Sequence, residues 1–429
     1  MTVSSHVRQA RVEATTPSIV DCVWEAGEWE RWWSVERVGS EVRRPATAVP
    51  EPPELLGLDH VEFWVANAAL ASHFLCFAFG FRPLAYAGLE TGLRDRASYA
   101  LAQGEVCLVV TAPLGPDGEL AEHVRRHGDG VRAIAFRVPD AERAQAAAAA
   151  RGAEPVGEPR TLADEHGEVA VASVAAYGDT IHAFVARDAY RGAFLPGYEP
   201  PVAAGYPSVD DGAQAGRDGV GGRAGEAPLF TRVDHVVGNV ELGALGRWVS
   251  YYERVFGFTE LIGFSDRDVA TEYSALMSKV MADGEGRIKL PLNEPADSAR
   301  RSQIEEFLDY YGGPGVQHVA LETDDIVAAV EALSRRGVRF LGTPASYYDD
   351  LEERLGELAH PVADLRRLGI LADADDEGHL LQIFTRPFGD RPTFFFELIE
   401  RRGSRGFGEG NFKALFEAIE REQRRRGNL

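Results

Sequence analysis

The sequence predicts an α+β fold in which two tandem domains are each built from repeated βαβββ units that curl into a half-open barrel. Two observations predict it. The 429-residue chain contains two blocks, at about 55–195 and 228–429, in which similar short runs recur in the same order. Within each block, short β-rich runs alternate with helical runs. At about 150 residues per domain, the length alone predicts two or three domains.

The internal repeat is carried by four pairs of runs. LGLDHVEFWVAN in the first block matches FTRVDHVVGNVE in the second, FAFGF matches RVFGF, DGVRAIAF matches PGVQHVAL, and RGAEPVGEP matches RGVRFLGTP. The separation between the copies grows only from about 175 to about 185 residues along these pairs. A duplicated domain explains this constant order more simply than chance does.

The second block shows the elements of one copy most clearly. DHVVGNV is a short β-rich run, and GRWVSYYERVFG predicts a helix that ends at Gly257. EYSALMSKVMA and GRIKLPLN predict strands joined by a turn at Asp283 and Gly284. GVQHVALET predicts the strand that opens the next unit.

The remaining elements of this block follow the same order. DIVAAVEALSRRG places its large apolar side chains on one helical face and stops at Gly337. GHLLQIFTRP and TFFFELIER predict strands, and FKALFEAIE predicts a C-terminal helix at about 411–427. This block therefore contains two βαβββ units followed by one additional helix.

Two segments lie outside the repeat. Residues 1–50 carry four of the six tryptophans and end in a Pro-rich run, and we expect a poorly ordered N-terminal extension. Residues 196–227 are dense in Gly, Ala, Pro and Asp, and their few large apolar side chains cannot offset the entropy of ordering. This second segment is predicted to be a linker.

Composition excludes several kinds of partner. Asp and Glu number 67 against 45 Lys and Arg, so the net charge is −22, which repels nucleic acid and anionic membrane surfaces. The sequence has no apolar run of about 18 residues, no secretory signal and only three cysteines. We expect a cytoplasmic protein without a disulfide framework.

The repeat also indicates candidate metal ligands. The second block has His235 on its first strand, His318 on the strand that opens its second unit, and Glu397 on its last strand. The first block has His60, Ala133 and Phe184 at the positions aligned with these, and two of those three cannot bind a metal. Three ligand types in only one copy predict a single metal site, in the C-terminal half.

Glu397 lies in the apolar run TFFFELIE, with Phe395 and Ile399 on its own face of the strand. A buried carboxylate must coordinate a metal or pair with a cation, and spacing leaves both possibilities open. Two histidines and one carboxylate form the facial triad of non-haem Fe(II) enzymes, whereas zinc more often has four ligands. The triad therefore favours iron.

Longer motifs resemble one known family. They are VDHVVGNVELG, TEYSALMSKV, LPLNEPA, RSQIEEFLDYYGGPGVQHVAL, GHLLQIFTRPFGDRPTFFFELIERRG and GFGEGNFKALFEAIEREQ in the second block, and RASYAL, HGDGV and LPGY in the first. They resemble the 4-hydroxyphenylpyruvate dioxygenase family of the vicinal-oxygen-chelate superfamily, most of all its bacterial members. The resemblance covers roughly residues 55–429 and implies two tandem vicinal-oxygen-chelate domains, a structural N-terminal one and a catalytic C-terminal one.

The resemblance implies one Fe(II) per subunit, held by His235, His318 and Glu397. It implies conversion of 4-hydroxyphenylpyruvate and O₂ to homogentisate and CO₂ in tyrosine and phenylalanine catabolism, by a homo-oligomer, either dimer or tetramer. The substrate-binding residues that it implies are Ser278, Asn293, Gln303, Gln317, Gln382, Phe384, Phe395, Phe407 and Phe412. The lid residues that it implies are Asn411, Phe412, Leu415 and Phe416. One departure is Glu409, where many relatives carry Lys.

Two alternatives remain open at this point. A 4-hydroxymandelate synthase would have the same fold, metal and substrate but would hydroxylate the benzylic carbon. Synthases of that kind look aliphatic at the positions of Asn293 and Phe412, so this chain favours attack on the ring. A non-catalytic small-molecule-binding protein of the superfamily would need no triad.

Overall fold

The structure, a computed structural model, describes residues 50–201, 227–264, 276–296 and 301–428. The predicted N-terminal extension, apart from Pro50, and most of the predicted linker lie outside the described residues. The same is true of the side chains of Phe412 and Phe416. None of the helices within the described ranges combines the length and the apolar character that crossing a membrane requires.

The first half forms one eight-stranded sheet in the order β2-β3-β4-β1-β5-β8-β7-β6. Its strands are β1 (Gly57–Trp64), β2 (Arg82–Ala87), β3 (Arg96–Gln103), β4 (Val106–Pro113), β5 (Gly130–Arg137), β6 (Arg160–Asp164), β7 (Gly167–Ala175) and β8 (Ile181–Ala186).

The second half repeats this arrangement in the order β10-β11-β12-β9-β13-β16-β15-β14. Its strands are β9 (Val233–Asn239), β10 (Thr259–Phe264), β11 (Leu276–Ala282), β12 (Lys289–Pro295), β13 (Gly315–Glu322), β14 (Leu371–Asp375), β15 (Gly378–Phe384) and β16 (Phe395–Arg402). Each sheet is a curled half-barrel, and the predicted fold class is confirmed.

The described α-helices are α1 (Ala68–Phe74), α2 (Glu119–His127), α3 (Ala141–Ala150), α4 (Leu245–Phe256), α5 (Gln303–Tyr311), α6 (Ile326–Arg335), α7 (Leu351–Leu355), α8 (Val362–Leu368) and α9 (Phe412–Arg426). Helices α1, α3, α4 and α6 each follow the opening strand of a βαβββ unit. Helix α4 ends at Gly257, whose φ of +69° is the left-handed cap conformation that glycine adopts without strain.

The alignment of the two halves of the chain, made from the sequence, was wrong by one residue at the last strand of each half. In the second sheet His318 pairs with Phe395 and Ala320 with Glu397, and in the first sheet Ala135 pairs with Ala183. Since Ala135 corresponds to Ala320, the residue equivalent to Glu397 is Ala183 and not Phe184. A slip of one residue moves a side chain to the opposite face of a strand. Neither alanine nor phenylalanine can bind a metal, so the inference drawn from the alignment is unchanged.

The two sheets share one hydrophobic core. Phe79 from the first half packs against Phe396 from the second, with ring centroids 4.9 Å apart. The His182 ring lies 2.8 Å from the Tyr252 hydroxyl across the same boundary. The amide oxygen of Gln103 accepts hydrogen bonds from the backbone N–H groups of Leu229 and Phe230. The first half therefore packs against the second and supports it through these contacts.

Candidate active site

Three candidate metal ligands meet on neighbouring strands of the second sheet. His235 lies on β9, His318 on β13 and Glu397 on β16, and β13 pairs with both other strands. The Nε2 atoms of both histidines lie 3.2 Å from Oε2 of Glu397. The three residues are 3%, 8% and 2% exposed, and their ligand atoms all lie within 4.8 Å of one another. This is a compact and buried set of two imidazoles and one carboxylate.

A second partner fixes the orientation of each imidazole. Nδ1 of His235 lies 2.7 Å from an Asp234 oxygen, and Nδ1 of His318 lies 3.0 Å from the Gln317 side-chain oxygen. With its proton on Nδ1, each ring directs the Nε2 lone pair towards Glu397. Metal-binding histidines are commonly held in this way.

Asp234 is itself part of a buried charge network. Its carboxylate accepts two hydrogen bonds from Arg401, at 2.8 and 2.9 Å, and one from Lys289 at 2.7 Å. Burial would raise the pKa of Asp234, but hydrogen bonds from Arg401 and His235 lower it well below its ordinary value. The aspartate is therefore ionised, and two cations fix its position.

The charges of the candidate ligands suit a cation. Burial would raise the pKa of Glu397, but the adjacent His235 and His318 hold it at about 2, so the group is a carboxylate. Burial lowers the pKa of His318 and keeps that ring neutral. Burial also opposes charge on His235, but Glu397 and Asp234 outweigh it and raise the pKa of that ring. A metal ion would displace the proton from His235.

The three ligands open into a cavity that contains about 670 Å³ of space not filled by atoms, including the part open to solvent. Apart from the three ligands, its lining residues are Val237, Leu276, Ser278, Pro291, Asn293, Gln303, Gln317, Gln382, Phe384, Phe395, Ile399, Phe407, Leu415 and Ile419. Among the described residues this lining includes no Lys or Arg.

Among the predicted site residues whose side chains the structure describes, all but one line this cavity. Asn411 does not: it is fully buried at the start of α9 and accepts a hydrogen bond from the Tyr347 hydroxyl. Sequence analysis missed five apolar lining residues, which are Val237, Leu276, Pro291, Ile399 and Ile419. Strand alternation had placed Ile399 on the face of Glu397 without assigning it to the site, and the same rule could have found Val237, two residues beyond His235. The same alternation could have found Leu276, two residues before Ser278, and Pro291, two before Asn293. Helical spacing could have found Ile419, four residues after Leu415.

The Gln382 side chain places a buried amide in the lining of the cavity. It is 2% exposed, and its Nε2 makes no hydrogen bond within the described residues. A buried amide nitrogen of this kind is a donor available to a bound molecule. Gly408 makes room for it, because a Cβ at Gly408 would lie 2.5 Å from that nitrogen.

Helix α9 lies beside the cavity and contributes Leu415 and Ile419 to it. Its C-terminal end is held by Arg426, whose Nη2 donates to Glu306 on α5 at 2.7 Å. Glu306 is 2% exposed and also accepts a hydrogen bond from Asn428 at 2.7 Å. The helix is thus anchored to the element that begins with the lining residue Gln303.

Comparison with known proteins agrees with this architecture. Two matches to the glyoxalase/bleomycin resistance protein/dioxygenase superfamily cover residues 59–171 and 232–383, one in each half. Fold and site together define a protein of this superfamily with two tandem domains and a buried candidate metal centre, His235, His318 and Glu397, on the sheet of the second.

Individual relatives narrow the class. The chain is 45% identical over 379 residues to the 4-hydroxyphenylpyruvate dioxygenase of Dictyostelium discoideum, covering 87% of this chain and 100% of that protein. It is 42% identical over 387 residues to the enzyme of the same name from Yarrowia lipolytica, covering 87% and 93%. A solved mutant of 4-hydroxymandelate synthase from Streptomyces coelicolor is 36% identical with a TM-score of 0.74, covering 87% of this chain and 100% of that one. The chain belongs to the 4-hydroxyphenylpyruvate dioxygenase family.

Proposed function

We propose that this protein is an Fe(II)-dependent dioxygenase that converts 4-hydroxyphenylpyruvate and O₂ to homogentisate and CO₂. Family membership supports the reaction. The observation that carries it is the convergence of His235, His318 and Glu397 in one cavity lined by apolar side chains and neutral amides. At the matching strand positions the first half has His60, Ala133 and Ala183, so we propose one iron per subunit, in the second half.

The donor set fits iron. Two neutral nitrogens and one carboxylate oxygen leave further coordination positions free, as the facial triad of non-haem Fe(II) enzymes requires. Bound there, iron would supply the activation of O₂, which no side chain can provide. Asp234 and Gln317 would keep both Nε2 lone pairs directed at the metal.

The rest of the cavity would position the substrate. Its amides, above all Gln382 and Asn293, can donate to and accept from a phenolic hydroxyl without a charge to desolvate. Phe384 and Phe395 would hold the ring at a fixed distance from the metal centre. Because the described lining has no Lys or Arg, the substrate carboxylate would meet positive charge at the metal centre.

Helix α9 would exclude water during the reaction. Leu415 and Ile419 present apolar side chains to the cavity, and the Arg426–Glu306 pair keeps the helix in place. The lid roles of Phe412 and Phe416, the oligomeric state, the cytoplasmic location and the similarity to bacterial members stay predictions.

A second candidate is 4-hydroxymandelate synthesis, favoured by the similarity to the Streptomyces coelicolor protein. A product assay separates the two reactions. The protein is loaded with Fe(II) without oxygen, mixed with 4-hydroxyphenylpyruvate and exposed to air, and the products are separated by chromatography. We expect homogentisate together with CO₂. Predominant 4-hydroxymandelate would overturn this choice, and an absence of substrate-dependent oxygen uptake would indicate a non-catalytic binding protein.

A further inference from the structure

A second cluster of ligand-type side chains lies in the N-terminal half, away from the strand positions equivalent to the triad. His123 and His127 are one turn apart on α2, and Asp179 lies in the turn between β7 and β8. Nε2 of His127 is 2.7 Å from Oδ2 of Asp179, and Nδ1 of His123 is 3.7 Å from the same oxygen. All three ligand atoms lie within 4.8 Å of one another.

The hydrogen bonds of His127 restrict where its proton lies. Its Nδ1 is 2.6 Å from the backbone carbonyl oxygen of Tyr311, and a carbonyl can only accept, so Nδ1 carries the proton. The neutral ring then presents the Nε2 lone pair to the Asp179 carboxylate, which is itself an acceptor. A second proton or a metal ion between the two atoms removes this conflict.

His123 favours the metal. Its side chain is 2% exposed, and neither ring nitrogen makes a hydrogen bond within the described residues. The ring packs edge-on against Trp64, with centroids 5.2 Å apart, and lies 4.6 Å from the ring of His127. A buried imidazole without a partner, directed at a carboxylate and a second imidazole, has the features of a metal ligand.

The turn that carries Asp179 is held in place. Gly178 has a φ of +59°, and a Cβ there would lie 2.3 Å from the backbone oxygen of Pro314 in the second half. The guanidinium of Arg132 donates to the backbone oxygen of Asp179 and to the Glu119 carboxylate. Arg132 therefore supports the turn from its backbone side and leaves the Asp179 carboxylate to the histidines.

We propose that His123, His127 and Asp179 bind a divalent metal ion of borderline softness, such as Zn²⁺. Zinc accepts two imidazoles and one carboxylate where water supplies its fourth ligand, and bonds of about 2.0 to 2.1 Å place tetrahedral ligand atoms about 3.3 Å apart. The observed separations of 2.7 and 3.7 Å lie on either side of that value. Asp179 is 39% exposed, so water can reach the fourth position.

The position of the cluster gives the ion a structural role. His127 bonds to the carbonyl of Tyr311 on α5, and Arg126 next to it donates to the carbonyl of Gly312 at 3.1 Å. A metal ion would tie α2 to the β7–β8 turn beside this contact between the halves. It would stabilise the packing of the N-terminal half against the α5 helix that begins with Gln303.

The test counts zinc in the full-length protein. Metal-free wild type and His123→Phe are dialysed against micromolar Zn²⁺ and passed over a desalting column, and zinc per chain is measured by atomic emission. Phenylalanine keeps the aromatic packing against Trp64 but has no ligand atom. His166→Ala, which removes an exposed histidine from the same half, is the matched control.

We expect His123→Phe to bind one zinc ion fewer per chain than the wild type, and His166→Ala to bind as many as the wild type. Equal zinc in His123→Phe and the wild type would overturn the proposal. Should circular dichroism show that His123→Phe does not fold, Asp179→Asn is measured by the same criterion, because it keeps the size of the side chain and removes its charge.

Discussion

Replacing Asp234 by Asn tests how the protein prepares His235 for a metal. The change keeps the size of the side chain and a possible acceptor for Nδ1 of His235, but it removes the negative charge between His235, Arg401 and Lys289. The His235 ring becomes less basic, and two buried cations beside it lose their counter-ion. Both effects disfavour a metal cation at Nε2 of His235.

The expected size follows from this geometry. Loss of a residue that orients a metal ligand weakens metal binding by about 10- to 100-fold, or about 1.4 to 2.7 kcal/mol. Breaking a buried ion pair by removing one charge costs roughly 3 to 5 kcal/mol of folding stability, and we expect the lower end because Asn retains hydrogen bonds. Anaerobic titration of the metal-free protein with Fe(II) against a competing chelator measures the first quantity, and urea unfolding measures the second.

The chain contains a matched control for this prediction. Asp59 precedes His60 in the first half, lies 2.7 Å from its Nδ1 and pairs with the buried Arg187, but no carboxylate corresponds to Glu397 there. Asp59→Asn should therefore reduce stability and leave Fe(II) affinity unchanged. Equal losses of affinity in the two variants, or unchanged affinity in Asp234→Asn, would refute the reasoning.

Three further predictions concern the cavity, α9 and pH. Gly408→Ala should displace the Gln382 amide, because the new Cβ would collide with it. The loss of about one hydrogen bond to the substrate should raise KM for 4-hydroxyphenylpyruvate by roughly tenfold. An unchanged KM in steady-state assays would contradict this. Arg426→Ala should leave the buried Glu306 carboxylate with fewer partners and speed hydrogen exchange in α9, whereas wild-type exchange rates would show that this contact does not hold the helix. Burial would raise the pKa of Asp59, but the hydrogen bond to His60 and the charge of Arg187 lower it. The ionised Asp59 therefore stabilises the folded state above its unfolded pKa of about 3.9, and this stabilisation is lost as the pH falls. The stability difference between wild type and Asp59→Asn in urea should accordingly shrink between pH 6 and pH 3, and a constant difference would be inconsistent with an ionised Asp59.

The repeat made most of the fold predictable. Period-two and helical patterns, compared between the copies, are sufficient to predict two βαβββ units in each half. His235 and His318 could be aligned with His60 and Ala133 because the connections before them have similar lengths in the two halves. The candidate ligands followed from that comparison of positions.

Alignment failed where the two copies differ in length. From the strand of His318 to Glu397 the second copy uses 79 residues, whereas the first uses 50 from Ala133 to Ala183. Part of the excess forms α7 and α8, so only the hydrogen-bond register fixes which residues correspond. The sequence alone could therefore not exclude an alignment error of one residue at this strand.

Contacts between segments that lie far apart along the chain could not be predicted from the sequence either. The spacing of His123 and His127 is visible along α2, but Asp179 lies 52 residues beyond His127 and meets it only in the folded chain. In the same way, helical spacing puts Ile419 on the face of Leu415, but only the docking of α9 brings that face to the cavity. Contacts of this kind depend on where helices dock, which periodicity does not specify.

The central claim is that His235, His318 and Glu397 together hold one iron ion. Anomalous diffraction at the iron edge, from crystals grown with Fe(II) under anaerobic conditions, tests it most directly. We predict a peak bonded to all three side chains and no such peak in crystals of Glu397→Ala. An iron peak elsewhere, with these three side chains left unbound, would contradict the account.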